Sequence, residues 1–257
     1  MTDIRRDGLG NVYVAGVTPG GRRRPVVTVS KLDNDGAVVQ STSFRARTNH
    51  ARALLAIASR PSPAAYVVMT DDGTVRSLDG LEEDRQTTAS AGMRPSAVVV
   101  DHDSTLLVAD AHGDCIWRLD PVTKDLALFA ELPRQSMPRS IAMMGEEGAV
   151  VTTDSRHGAV LLRQPSGTLT VLRSGPESAH ADAGRPIVVP TWLAATSGRI
   201  VVAAGEQLLR LDPSSGTVAG IGAAAVRVDQ SIGADGRIIA LHYSGELELV
   251  DVFADDA

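Results

Sequence analysis

Residues 95–129 read PSAVVVDHDSTLLVADAHGDCIWRLDPVTKDLALF, and this stretch decides the fold. Four short runs of β-forming residues, at 95–100, 105–110, 115–120 and 126–129, are separated by turns rich in Asp, Gly and Pro. Short runs joined by tight turns are typical of antiparallel hairpins. The stretch therefore predicts a four-stranded antiparallel unit.

The unit recurs along the whole chain. The acid that ends the third strand is repeated at Asp33, Asp79, Asp120, Asp212 and Asp251, with Gln164 in the equivalent place of the fourth copy. The gaps between these positions are 46, 41, 44, 48 and 39 residues. A period of about 40 residues with four strands per unit is typical of β-propellers. The sequence predicts an all-β, six-bladed β-propeller with four-stranded antiparallel blades.

The repeat also divides the chain, which we interpret as a single domain over 1–257. The predicted blades are approximately 1–46, 47–90, 91–132, 133–174, 175–222 and 223–257. The sequence ends just after a third strand, so we expect the sixth blade to lack its outer strand.

Composition and charge indicate which residues form the core, which partners the protein does not attract and where in the cell it is expected. Hydrophobic residues make up 43% of the chain and aromatic residues 3%, so Val, Leu, Ile and Ala must fill the core. The net charge of -6 predicts no attraction to nucleic acid or to an anionic membrane. Cys115 is the only cysteine, residues 1–7 lack an apolar signal core, and no apolar run approaches the ~18 residues of a membrane span. These features predict a cytoplasmic protein.

The stretch from Pro95 to Asp120, PSAVVVD followed by LLVADAHGDCIWRLD, resembles the NHL repeat. It is similar as well to the six-bladed superfamily of gluconolactonase and strictosidine synthase, and to streptogramin lyase repeats. Gluconolactonase-type members hold a metal with Glu, Asn, Asn and Asp, but Ser96, Ser140 and Thr191 stand where the Asn ligands are expected. We assign no metal ligand, and whether a divalent metal binds stays open.

Candidate catalytic residues lie in the loops after second strands and before first strands, which a propeller brings to one end of its channel. Five of the six histidines fall there: His50, His112, His157, His180 and His242. A neutral imidazole can act as a base, and a nearby carboxylate can orient it. We select His242, Glu206, His112 and His157. The alternative is that Asp110 and Asp154 cap their own turns and that His112 and His157 are solvated turn tips.

Candidate binding residues lie where the innermost strands are expected to start. These are Arg52, Arg139, Trp192, Asp229 and Gln230, which would line a funnel for a polar small molecule or for ordered water. Two long loops are further candidates: Ser174–Pro190 as a lid, and Gly16–Pro25, whose Arg22–Arg24 triplet can hold an anion or be a solvated tip.

These features lead to competing functional hypotheses. The first is a small-molecule enzyme of the lactone hydrolase, lyase or isomerase/cyclase type, of the kind used in bacterial secondary metabolism, with its ligand at the channel mouth. The alternative is a non-catalytic NHL-like propeller that binds a protein or small ligand. A third is an extracytoplasmic sensor or carrier domain.

Overall fold

The computed structural model describes most of the 257 residues and divides them into two compact units, Met1–Phe129 and Ala130–Ala257. The assignment of residues 1–257 to a single domain stays a prediction. The residues outside the description are 1–2, 8–10, 20–23, 34, 49–52, 58–63, 70–73, 80–82, 89–92, 121, 124, 146–147, 174–189, 197, 205–206, 224–226, 229–236, 242–246 and 252–257.

The first unit contains three four-stranded antiparallel sheets. Their strands are β1 (Asp3–Arg6), β2 (Val12–Thr18), β3 (Val26–Leu32), β4 (Val38–Arg45), β5 (Ala53–Ile57), β6 (Ala64–Met69), β7 (Thr74–Asp79), β8 (Glu83–Thr88), β9 (Pro95–Val100), β10 (Leu106–Asp110), β11 (Cys115–Leu119) and β12 (Leu126–Glu131). Gly16 to Thr18, expected to lie in a loop, extend β2 instead and pair with β3.

The second unit contains two four-stranded sheets and one sheet of three strands. Their strands are β13 (Ile141–Met144), β14 (Ala149–Asp154), β15 (Ala159–Arg163), β16 (Leu169–Arg173), β17 (Pro190–Thr196), β18 (Arg199–Ala204), β19 (Gln207–Leu211), β20 (Val218–Ala223), β21 (Arg227–Val228), β22 (Arg237–Leu241) and β23 (Leu247–Asp251).

The fold is an all-β propeller with four-stranded antiparallel blades, as the repeat predicts. The predicted count of six such blades is wrong for the last one. Five sheets have four strands, and the sixth has three within the part of the chain that the structure describes. β23 ends at Asp251 and no described strand pairs with its far edge, so the expectation that the last blade lacks its outer strand stays a prediction.

Burial differs among the strands of a sheet according to their place in it. Every residue of β10 and of β14 is buried, since these strands are covered on both faces. The outer strand β4 is largely exposed and mixes Val with Gln, Ser and Thr. The repeat is therefore readable in the sequence because the burial of a strand changes with its place in the blade.

Neighbouring sheets of a unit pack face to face through aliphatic side chains. In the first unit, Val27 packs in one cluster with Leu55, and Val68 packs in another with Val98. In the second unit, Val151 shares a cluster with Leu193. These contacts hold successive blades of a unit against one another by burial of apolar surface.

A buried ion pair lies within β1, and its carboxylate also bonds the second sheet. The Asp3 and Arg5 side chains are 0% and 5% exposed, and Arg5 Nη1 donates to Asp3 Oδ1 at 2.9 Å. Asp3 Oδ2 also accepts the Leu55 N–H at 2.8 Å, which ties β1 to β5. Among the described residues, Arg5 Nε and Nη2 have no hydrogen-bond partner.

Outer hairpin turns are closed by the repeated acid, as the sequence indicates. Asp120 Oδ1 accepts the N–H groups of Val122 and Thr123, and these bonds lower the pKa of Asp120. The Ser214 hydroxyl likewise holds the pKa of Asp212 well below its usual range. Asp120 and Asp212 therefore specify the turns that follow their strands.

Tyr13 gives a testable pH dependence. Burial, and then the neighbouring Asp7 carboxylate, raises the pKa of Tyr13 to about 12. An unfolded tyrosine ionises near pH 10, so above that pH the unfolded chain loses a proton that the folded chain keeps. The free energy of unfolding should fall by roughly 2 kcal/mol between about pH 10 and 12. Urea unfolding across this range should show that loss in the wild type and a smaller loss in Tyr13→Phe; parallel curves would refute the prediction.

The described residues contain no helix long and apolar enough to cross a membrane. The cytoplasmic location stays a prediction.

Candidate functional site

The turn at residues 154–158, between β14 and β15, brings an imidazole onto a buried carboxylate. The Asp154 side chain is 2% exposed and the His157 side chain 49% exposed. His157 Nδ1 lies 2.8 Å from Asp154 Oδ2 and 3.0 Å from Oδ1. The His157 backbone N–H also donates to Oδ1 at 3.0 Å, so the same carboxylate shapes the turn and orients the ring.

This geometry fixes the chemistry that His157 can perform. An ionised carboxylate only accepts hydrogen bonds, so Nδ1 must carry the hydrogen that faces Asp154. Nε2, across the ring, then carries the lone pair on a half-exposed side chain. A histidine oriented in this way can take a proton from a substrate and later return it, while Asp154 stabilises the imidazolium.

Buried polar groups hold the 154–158 turn in place. Ser136 is 0% exposed, and its Oγ lies 3.2 Å from Asp154 Oδ2. The Arg156 N–H donates to the Ser136 carbonyl at 3.2 Å. On the next sheet, the Pro190 carbonyl accepts a hydrogen bond from the Ser155 hydroxyl at 2.8 Å.

A second pair of hydroxyls fixes the start of β13. Thr153 Oγ1 accepts the backbone N–H groups of Arg139 and Ser140, at 3.0 and 3.1 Å. Ser140 Oγ in turn accepts the Leu193 N–H at 3.1 Å, which joins β13 to β17. The residue before Asp154 is therefore bonded to the backbone of Arg139, a predicted binding residue.

The equivalent turn of the first unit is built differently. Strand pairing aligns Asp110 and Cys115 with Asp154 and Ala159, so Gly113 occupies the position of His157. Asp110 Oδ1 accepts the N–H groups of His112 and Gly113, and Asp110 Oδ2 faces Trp117 Nε1 at 3.3 Å. A Cβ at Gly113 would lie 2.9 Å from Asp110 Oδ2.

The two predicted histidines therefore differ. His112 is exposed, and the bond recorded between it and Asp110 is through its backbone N–H. His157 offers its ring to the acid as well. His112 lies in the first unit and His157 in the second.

The remaining predicted residues fall into two groups. Arg139 is exposed ahead of β13, and Trp192 lies partly buried in β17, where it packs against a cluster that includes Leu208 and Ile238. The others lie outside the described residues: His242, Glu206, Arg52, Asp229 and Gln230. Most of the Ser174–Pro190 loop and part of the Arg22–Arg24 triplet also lie outside them.

Sequence reasoning missed Ser136. It lies in the 133–139 segment, PRQSMPR, between Gln135 and Met137, whose φ values are 63° and 49°. Non-glycine residues adopt this left-handed region rarely, and such residues cluster at functional sites. The paired prolines were a visible signal of an irregular segment, but not of what the segment contacts.

Within the part of the chain that the structure describes, no three or more His, Cys, Asp or Glu side chains form a group that could hold a metal ion.

Comparison with known proteins gives a fold likeness. No protein-family model and no curated protein matches the chain. Among solved structures, virginiamycin B lyase from Staphylococcus aureus is 17% identical with a TM-score of 0.64, and the match covers 96% of this chain and 82% of that one. A streptogramin B lyase is 13% identical with a TM-score of 0.63, covering 96% and 92%. A chain of a nidogen/laminin complex is 13% identical with a TM-score of 0.69, covering 95% and 90%.

These matches are all below 25% identity, so they establish the propeller fold and no activity. They agree with the resemblance to streptogramin lyase repeats in the sequence. The likeness to the gluconolactonase and strictosidine synthase superfamily stays a prediction.

Proposed function

We propose that the protein is an enzyme that acts on a small molecule by general acid–base catalysis, with His157 as the proton-transferring group. The observation that carries the proposal is the contact of His157 Nδ1 with the buried Asp154 carboxylate. A turn needs only the carboxylate, as Asp110 demonstrates. The imidazole in the 154–158 turn is an addition that turn formation does not explain.

The reaction class that we favour is eliminative cleavage of a cyclic ester. Nε2 of His157 would remove a proton from the carbon next to the C–O carbon. The electron pair of that C–H bond forms the C=C bond, the C–O bond breaks, and the carboxylate leaves with its electron pair. The fold likeness to two streptogramin-type lyases supports this choice over lactone hydrolysis or isomerisation.

The exposed arginines near the 154–158 turn suit this chemistry. Arg139 and Arg156 are both exposed, and their backbones are bonded into the network around Asp154. A guanidinium can bind a carboxylate through two parallel hydrogen bonds. We propose that one of them holds the carboxylate that the cleavage releases.

Mass spectrometry of the product tests the reaction class. One known relative in fold is a virginiamycin B lyase with quinupristin, so quinupristin is the first probe, followed by simple lactones. Elimination gives a linear product of unchanged mass, whereas hydrolysis adds the mass of one water. Elimination that is lost in His157→Gln is the expected result. No turnover of any cyclic ester would overturn the proposed reaction class.

A non-catalytic binding module is the second candidate. The TM-score of 0.69 to a chain of the nidogen/laminin complex favours it, because a propeller of this form can occur in a protein complex. This candidate predicts that His157→Gln leaves ligand or partner binding unchanged. Isothermal titration and the activity assay with the same probe, quinupristin, separate the two candidates, because binding without turnover is expected of the binding module alone.

A further inference from the structure

We infer that Ser136 is a positioning residue, which holds the Asp154 carboxylate against His157 through a contact with the same carboxylate oxygen. This inference rests on the proposed function, because it takes the role of His157 in a reaction from there. The contacts among Ser136, Asp154 and His157 do not depend on that function. It adds a residue that lies outside both the repeat pattern and the predicted site.

The first argument is the sharing of one carboxylate oxygen. Asp154 Oδ2 lies 2.8 Å from His157 Nδ1 and 3.2 Å from Ser136 Oγ. The Ser136 hydroxyl has a single hydrogen, and its Oγ lies 2.5 Å from the Pro133 carbonyl oxygen, so the 3.2 Å contact with Asp154 Oδ2 is the longer of the two. Loss of the hydroxyl would leave the imidazole as the side-chain group that holds Oδ2.

The second argument is that the whole residue is fixed to the 154–158 turn. The Ser136 N–H donates to the Pro133 carbonyl at 3.1 Å, and the Ser136 carbonyl accepts the Arg156 N–H at 3.2 Å. The hydroxyl, the N–H and the carbonyl are thus all engaged, on a residue that is 0% exposed. A rotamer change at Ser136 would break contacts that bear on Asp154.

The third argument is the backbone conformation of the two residues that flank Ser136. Gln135 and Met137 have φ values of 63° and 49°, and neither is glycine. Such conformations persist only where the surrounding structure fixes them. Here they turn a fully buried serine toward Asp154 while Gln135 and Met137 themselves stay exposed.

The equivalent turn of the first unit gives the contrast. Asp110 accepts the Arg94 N–H and lies 3.3 Å from Trp117 Nε1, and among the described residues its carboxylate contacts no imidazole ring. Of the two turns, the serine hydroxyl contact is found at Asp154, the carboxylate that contacts an imidazole ring.

The test compares Ser136→Ala with Ser140→Ala, by ¹⁵N NMR of the imidazole rings and by steady-state kinetics. Ser140 is a matched control, because it is equally buried but its hydroxyl accepts the Leu193 N–H and does not contact Asp154. The His157 signals are assigned by their absence in His157→Gln. Without the hydroxyl, we expect the Asp154 carboxylate to turn partly away from His157 Nδ1. Ser136→Ala should therefore increase the fraction of the Nε2–H tautomer and lower kcat about 10-fold with little change in KM. Ser140→Ala should leave the tautomer signature unchanged.

The outcomes separate this inference from the proposed function. If the ¹⁵N chemical shifts of the His157 ring are the same in Ser136→Ala and the wild type, the positioning role is overturned, whatever the activity. A shifted signature in a protein without activity would uphold the positioning role and refute the proposed function. If Ser136→Ala does not fold, Ser136→Cys keeps a similar shape with a weaker donor and should shift the same signature by a smaller amount.

Discussion

Replacing His157 with glutamine should lower kcat/KM by roughly 10²- to 10⁴-fold, which is the usual contribution of a general acid–base group. The glutamine amide can still donate a hydrogen bond to the buried Asp154 carboxylate, but it cannot carry a proton to and from a substrate. The His157 side chain is half exposed, so we expect the melting temperature to change little. Steady-state kinetics and a thermal melt measure the two effects.

His102→Gln is the matched control for this variant. His102 is an exposed histidine in the turn between β9 and β10, in the first unit, and its N–H donates to Asp101. It should retain wild-type kcat/KM. Equal activity of His157→Gln and His102→Gln would remove His157 from the proposed mechanism.

Replacing Asp3 with asparagine should destabilise the protein by about 3–5 kcal/mol, the usual cost of removing one partner of a buried ion pair. The variant leaves the Arg5 guanidinium charged and almost fully buried, with Nε and Nη2 already lacking partners among the described residues. The Asp3 carboxylate also accepts the Leu55 N–H of the neighbouring sheet, so the junction of the first two sheets weakens. Urea unfolding followed by circular dichroism measures the loss.

The double variant Asp3→Asn/Arg5→Met tests the cause. Replacing a buried ion pair by uncharged groups is often neutral or stabilising, so methionine at Arg5 should recover much of the lost free energy of unfolding. If the double variant is as unstable as Asp3→Asn, the uncompensated charge is not the reason for the loss. Lys31→Met, a charge removal on β3, provides a control for nonspecific charge effects.

The sequence predicted the blades well because their signals are local. Asp120 and Asp212 each bond the backbone two or three residues ahead, so a turn is encoded by a few neighbouring residues. A buried second strand such as β10 is an apolar run by necessity. The sixth sheet has three strands within the described part of the chain, the number that the sequence leaves for the last repeat.

The site was predicted less completely because it depends on the direction in which a side chain points and on contacts between residues far apart in the sequence. His112 and His157 looked alike as histidines after a strand-ending Asp, yet one follows its Asp by two residues and the other by three. That one-residue difference puts His157 at the position of Gly113, where a side chain meets the carboxylate. Ser136 stands 18 residues before Asp154, and no periodic pattern links the two.

The order of strands within each sheet bears on how the chain is made. Every described strand pairs only with strands next to it in the sequence, so each hairpin closes a short loop. Short loops lose little entropy on closure, and chains rich in such contacts fold quickly. We therefore expect each blade to form its hydrogen bonds soon after it leaves the ribosome, while the later repeats are still being synthesised.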